Sequence, residues 1–342
     1  MKTTKGEIYF VRELESGAFS PFTKIGLISY DKDRSSSDRL PEHQTGNPRK
    51  LVISHYVATD CVNAVETYMH RKYAKLRGLG EWFRFDEALL AEAIGFCEQL
   101  ASRFAGEVAV LELSKTLKDS TSDGIVVEPS DEAKQWFSKY VVSSSLIHEC
   151  DNLEAMYEEL IQEAELAGED TSRNATNRTA ERSEFKEKEF KEKYGELWTK
   201  YAQSVTTISG KFMPERFDKS DGGIISDIPD FVALRDRFSQ ILIGTEQHSS
   251  KLESLKDCYL ELIGFKKEAT VEKEIAEAHL KVLCGTSDGI TGICKWKRAE
   301  KTAFSLDKKS LEANHPSEFN EFQVTKTVES LVKEKAQGAL DS

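Results

Sequence analysis

Six side chains in the first seventy residues have the types that phosphoryl-transfer chemistry uses: Tyr9, Lys24, Arg39, His43, Glu66 and His70. Cleaving a phosphodiester requires an activated water, positive charge against the developing negative charge, and usually a divalent cation. Glu66 offers an oxygen ligand of the kind that Mg²⁺ or Mn²⁺ prefers, so a single divalent cation is the expected cofactor. Arg39 can grip a phosphate oxygen with a planar fork that stays charged throughout. Tyr9 can take a proton from water only if its pKa falls from about 10. A cation such as Lys24 beside it would lower that pKa by favouring the phenolate. His43 lies one helical turn after Arg39, and His70 one turn after Glu66, so each pair shares a helix face. Either imidazole could hold a phosphate, move a proton or orient a neighbour.

Each residue also has a purely structural reading. Tyr9 could be a cross-strand packing residue, Lys24 a charge that protects a sheet edge, Arg39 and Glu66 solvated helix residues, and the histidines packing groups. Gly26 suits a close approach of backbone, and Gly80, Glu81, Trp82 and Phe83 suit a packing element that closes the unit, or else a base-stacking platform.

The elements that must position these residues follow from the local pattern. Residues 7–12 and 22–28 read as a hairpin turning at Ser16 and Gly17, and residues 51–57 as a third strand. Serines 35–37 can cap a short helix to about Gln44, which the Thr45 to Pro48 stretch ends. Thr59 or Asp60 would cap a stronger helix in which Val62, Val65, Met69 and Tyr73 recur at helical spacing. The expected unit spans residues 1–86: three mainly antiparallel strands with flanking helices.

This ordered set resembles the GIY-YIG nuclease superfamily. The matching pieces are Gly6, Glu7, Ile8 and Tyr9, then Lys24, Ile25 and Gly26, then Arg39, His43 and Glu66. The second motif is similar to that of the phage-associated branch, where Lys-Ile-Gly often replaces Tyr-Ile-Gly. The resemblance covers roughly a quarter of the chain. It implies a DNA endonuclease with Tyr9 as general base, assisted by Lys24, with Arg39 on phosphate and Glu66 on the metal. A lysine at position 24 leaves no second tyrosine there.

Charge is unevenly divided. The whole chain carries a net -12, yet residues 1–85 hold 14 Lys and Arg against 10 Asp and Glu, leaving 33 against 49 for the rest. Phosphate contacts need local positive charge rather than a basic protein, so the split permits the DNA partner that the resemblance implies, with Arg49, Lys50 and His70 as further contacts. Nothing in the sequence separates DNA from RNA.

Residues 87–342 read as a mostly helical recognition region. The expected helices cover 85–105, 130–142, 152–167, 181–201, 229–244, 247–265 and 269–284, with 108–113 either a strand or a continuing helix. Breaks are expected at 168–180 and 218–227. The charged segment 181–201 carries an aromatic stripe of Phe185, Phe190, Tyr194 and Trp198, which suits a helix in a bundle or an oligomerisation arm that would make a homo-oligomer. Residues 289–304 alternate like a hairpin, in which Lys295, Trp296, Lys297 and Arg298 could track a nucleic-acid backbone around a stacking ring. This end faintly resembles the tail of YqaJ-type phage-recombinase exonucleases, without that family's catalytic carboxylates, which implies at most a docking hairpin.

The fold class expected is therefore α+β: a small nuclease-like unit followed by helices and a terminal hairpin. No apolar run is long enough to span a bilayer, no leader is evident, and six scattered cysteines without a CxxC pair suit a reducing, cytoplasmic setting. The alternative function is a weak or inactive DNA-binding scaffold on the same fold. The helical region could also serve as a protein-partner module in phage–host conflict.

Overall fold

The computed structural model describes residues 1–32, 34–45, 47–78, 80–169, 171, 175–218 and 225–333. Its first unit is a four-stranded antiparallel sheet in the order β3-β1-β2-β4. Strands β1 (Gly6–Glu15) and β2 (Ala18–Ser29) form the expected hairpin, longer at both ends than the hydrophobic pattern indicates. Its two-residue turn holds Ser16 at φ 52° and Gly17 at φ 85°, the left-handed pair that matches the twist of the flanking strands. Strand β3 (Lys50–Thr59) pairs with β1, and a fourth, β4 (Trp82–Arg84), pairs with β2. Trp82 and Phe83 thus extend the sheet, which the sequence leaves at three strands.

The alternation of β1 divides this sheet into two faces. Ile8, Phe10 and Ile25 pack beneath helix α2 (Val62–Lys72) and the long helix α3 (Glu87–Lys118). Tyr9, Val11, Ile28 and Leu51 pack on the other side with Leu40 of helix α1 (Ser36–Gln44). Ser35 caps α1 through a reciprocal bond with Asp38. Cys61, rather than Thr59 or Asp60, occupies the N-cap of α2, because β3 runs on to Thr59 and Cys61 bridges to Thr4. The core under α2 includes Leu90, Ala93, Cys97, Leu100 and Phe104 of α3, together with Val271 and Ile275 from far along the chain. The hydrophobic contacts that close the first unit therefore run past residue 86.

Helices expected as separate pieces are continuous. Residues 108–113 continue α3 through Gly106. The two segments 130–142 and 152–167 are one helix, α4 (Asp131–Leu166), capped by Ser130. Ser143, Ser144 and Ser145, which read as a break, are buried; short side chains let a neighbouring helix come close, and α4 packs along α8 more extensively than any other helix pair. That partner, α8 (His248–Cys284), likewise joins two expected helices, and α7 (Pro229–Ile243) packs on it.

The segment 181–201 departs from expectation. It begins inside strand β6 (Ala175–Phe185), continues as two short helices, α5 (Glu187–Lys193) and α6 (Gly195–Tyr201), and leads into strand β7 (Ala202–Ser209). Strand β6 pairs with β12 (Gln323–Lys333), and β7 with β11 (Ala299–Leu306). Helix propensity loses here to partners more than a hundred residues away. The aromatic stripe is a core: Phe190 is fully buried against Leu306, Leu311, Phe319 and Phe322, with Phe185, Tyr194 and Trp198 around it. Of the expected breaks, 168–180 runs into β6 from residue 175, and Gly222 and Gly223 lie outside the described residues.

A small C-terminal hairpin is present but shorter than 289–304. It consists of β9 (Gly289–Ile290) and β10 (Cys294–Lys295), joined by β5 (Val126–Val127) and β8 (Met213–Pro214). The basic patch expected there is half buried. Trp296 and Arg298 are each 1% exposed, and only Lys295 and Lys297 face solvent. Arg298 donates to the Ser120 carbonyl at 3.0 Å and the Gly285 carbonyl at 2.7 Å, and stacks 3.8 Å from the Trp296 ring centroid. Alternation had placed Trp296 on an open hairpin face; a third and fourth strand and the ends of α3 and α8 cover it, so neither residue can meet a nucleic acid. Replacing Arg298 with alanine would strand two buried carbonyls, and we expect a loss of about 2–4 kcal/mol in urea unfolding with unchanged nucleic-acid affinity.

Candidate functional site

The sheet's register brings Tyr9 and Lys24 to one face. Tyr9 pairs with Gly26 across β1 and β2, and Val11 pairs with Lys24 two residues on. The Tyr9 ring lies directly over Gly26: a Cβ there would fall 2.5 Å from the phenol oxygen and 2.6 Å from its ring carbon. Gly26 is thus the close-approach glycine, and it lets the phenol cross β2 instead of standing off the sheet. Helix α1 then lowers His43 and Arg39 onto the phenol. Tyr9 Oη is 2.9 Å from His43 Nε2, and the Arg39 guanidinium lies near enough to favour the phenolate. Arg39 itself is braced by Glu42 at 2.6 Å.

The electrostatics differ from expectation at Lys24. Its ammonium binds Glu81 at 3.0 Å rather than activating the phenol. Burial raises the Tyr9 pKa above its ordinary value; Arg39 opposes that, while Glu81 and Glu66 add to it. Burial, helped by Lys24 and Arg39, lowers the pKa of His43. Near neutral pH the pair is therefore a neutral phenol beside a neutral imidazole. One hydrogen is shared between the phenol oxygen and Nε2, and the imidazole tautomer sets which of the two donates it.

Glu66 reaches the same region from α2. Burial first, and then the neighbouring charge of Glu81, push its carboxyl up to about 7; Lys267, Arg77 and Lys24 oppose this. Glu81 is held below the usual carboxylate range, the cost of its burial being outweighed by Lys24, His70 and Arg77. Glu81, Arg77 and Lys267 thus belong to the site. Glu81 falls in the Gly80–Phe83 run, which the sequence suits to packing or to base stacking, and Arg77 lies just before it. Lys267 comes from α8, some two hundred residues on, and no local signal points to it.

The remaining candidates fall elsewhere. His70 turns inward: Nε2 donates to the Ile25 carbonyl at 3.1 Å, the ring lies 5.3 Å from Phe83, and burial drives its pKa down to about 4. It pins α2 to β2 as a neutral side chain and presents nothing to a phosphate. Arg49 is engaged with Glu13 at 3.0 Å and Glu15 at 3.1 Å. Lys50 is exposed at the start of β3.

In front of Lys24 and His43 opens a cleft of about 700 Å³, lined also by Trp82, Asn47, Glu13, Glu15 and Arg49. Among the described residues no group of three or more His, Cys, Asp or Glu side chains could hold a metal ion. Glu66, whose negative form is disfavoured by burial and by Glu81, is where an added cation would relieve most strain. No helix among the described residues is long and apolar enough to cross a membrane. In comparisons with known proteins, no family model, no curated protein and no solved structure matches the chain.

Two outcomes follow. Gly26→Ala should cost about 1–3 kcal/mol in urea unfolding, and most of that cost should vanish in a Tyr9→Ala background; an undiminished cost there would place the clash elsewhere. The Glu66 carboxyl has its folded pKa near 7 against an ordinary 4.5, so the folded state holds the extra proton and stability falls as pH rises through that window. Glu66→Gln should therefore match the native protein at pH 4 and exceed it by about 1–3 kcal/mol at pH 8, measured by chemical denaturation at each pH without added metal.

Proposed function

We propose that the N-terminal unit is a metal-dependent endonuclease that hydrolyses DNA phosphodiesters. The observation that carries this reading is a buried phenol with an imidazole 2.9 Å from it, on which the charges of Arg39 and of the half-buried Glu66 both act. A packing role for Tyr9 does not require that imidazole. The resemblance of the ordered motifs to GIY-YIG nucleases supports the same conclusion.

In this reading Arg39 binds and neutralises the phosphoryl oxygens, as a preorganised cation beside the attacked group. Tyr9 orients the attacking water. Because its own pKa is raised, it does not wait as a phenolate: it accepts the water's proton at Oη while its hydrogen passes to Nε2 of His43. His43, neutral and lowered in pKa, is ready to take that proton at physiological pH. Lys24 and Glu81 hold each other, and Glu81 keeps the Lys24 ammonium from contacting Tyr9. Glu66, with Glu81 as its neighbour, would hold a single Mg²⁺ or Mn²⁺. When bound, that ion supplies charge stabilisation at the phosphate and an acidic water. Cleavage would take place in the cytoplasm, and residues 87–342 would recruit substrate or a protein partner, in a setting such as phage–host conflict.

A second reading has one observation in its favour. Lys24 is neutralised by Glu81, so the phenol lacks the activation that a free ammonium would give it; this favours a weak nuclease or a DNA-binding scaffold. Purified protein with Mg²⁺ or Mn²⁺ and several nucleic acids decides between them. We expect cutting that EDTA stops, that Glu66→Ala abolishes, and that His43→Ala and Arg39→Ala reduce by about 10²–10⁴-fold. Activity should rise with pH through about 7 at limiting metal, as Glu66 ionises, and this limb should move to lower pH as metal increases. Salt-dependent binding without turnover would establish the scaffold.

A further inference from the structure

The wall of the cleft next to the Tyr9–His43 pair includes Trp82. Trp82 sits on β4 opposite Lys24, two residues along β2 from Gly26, or about 7 Å. The side chain packs against the buried cluster that contains Tyr9 and Val11. It remains half-buried and lines the cleft. The indole is therefore anchored in the core while part of its apolar ring borders the cleft beside the polar cluster.

The charges around it say what can lie there. Glu13 and Glu15 line the opposite part of the cleft, and Arg49 is engaged by both. Lys24 is engaged by Glu81. This part of the cleft has no surplus positive charge and an excess carboxylate, so it repels a phosphate. What fits is an uncharged planar ring. The volume of about 700 Å³ lies in the range of a site for one small ligand; it admits a single nucleoside but not a base pair with both its backbones.

We propose that the cleft is a nucleobase pocket in which Trp82 stacks one unpaired base, so that the substrate is a single-stranded, frayed or flipped nucleotide rather than an intact duplex. This rests on the nuclease reading for which reaction follows, but not for the binding itself. Base–aromatic stacking tolerates any base, so the pocket gives selectivity for strand state and not for sequence.

The test uses full-length Glu66→Gln protein, with and without Trp82→Leu or Trp82→Phe, titrated with a single-stranded oligonucleotide and with a blunt duplex of the same sequence. Anisotropy reads affinity, and intrinsic fluorescence reads stacking. We expect the single strand to bind more tightly and quench tryptophan emission. Trp82→Leu should weaken that binding about 10-fold and remove the quench, while Trp82→Phe should stay within about 3-fold of Glu66→Gln, since a phenyl ring still stacks. A Trp82→Leu protein that melts like its parent shows that folding is not the cause. If that variant does not fold, the Trp82→Phe comparison and the strand preference decide. Equal affinity for both strand states, binding unmoved by Trp82→Leu, or no binding at all would overturn the pocket. Metal-dependent cleavage of duplex that Trp82→Leu leaves unchanged would remove the pocket and keep the nuclease; Trp82-dependent binding with no cleavage by the native protein would do the reverse.

Discussion

The site depends on one contact, the Tyr9 ring lying flat over Gly26. Without a side chain on the neighbouring strand, the phenol crosses β2 and meets groups brought from two directions. Helix α1 contributes His43 and Arg39, and the run after α2 contributes Glu81. Any larger residue at position 26 would lift the ring, lengthen the bond to His43 and separate the phenol from the guanidinium. The β1–β2 register is therefore what holds this cluster together, and it is set by the tight turn at Ser16 and Gly17 together with the register shift between Arg12 and Leu14.

The charges are arranged as two tiers. Lys24 and Glu81 pair with each other, while Glu66 remains in excess and is kept from ionising by burial and by Glu81. Burial thus acts alike on the Glu66 carboxyl and the Tyr9 phenol, favouring the protonated form of each.

The first unit is also less separate than its sequence signature. Val271 and Ile275 of α8 complete the core beneath α2, and Lys267 of the same helix adds positive charge near Glu66. The long helices are therefore part of what holds the candidate site together. Changes in α8 can alter Glu66 without touching the motifs.

The sequence by itself determined what is local. The order β-β-α-β-α, the hairpin turn, the serine cap of α1 and the close-approach glycine were legible because turn chemistry, capping and hydrophobic period act within a few residues. So was the helical spacing of Arg39 and His43 on α1, which sets His43 beside Tyr9. Tertiary structure decided everything that depends on a distant partner. Lys24 finds Glu81, fifty-seven residues away, and so does not face the phenol as the motif suggested. His70 finds the Ile25 carbonyl and turns inward. Trp296 and Arg298 look like an open basic patch until three other strands and two helix ends cover them. Residues 181–185 read as the start of a helix but pair with β12, because a ladder of backbone hydrogen bonds and a shared aromatic core outweigh propensities of a few tenths of a kcal/mol per residue. A side chain's type is written in the chain, whereas its partner is chosen by which elements the fold brings within reach.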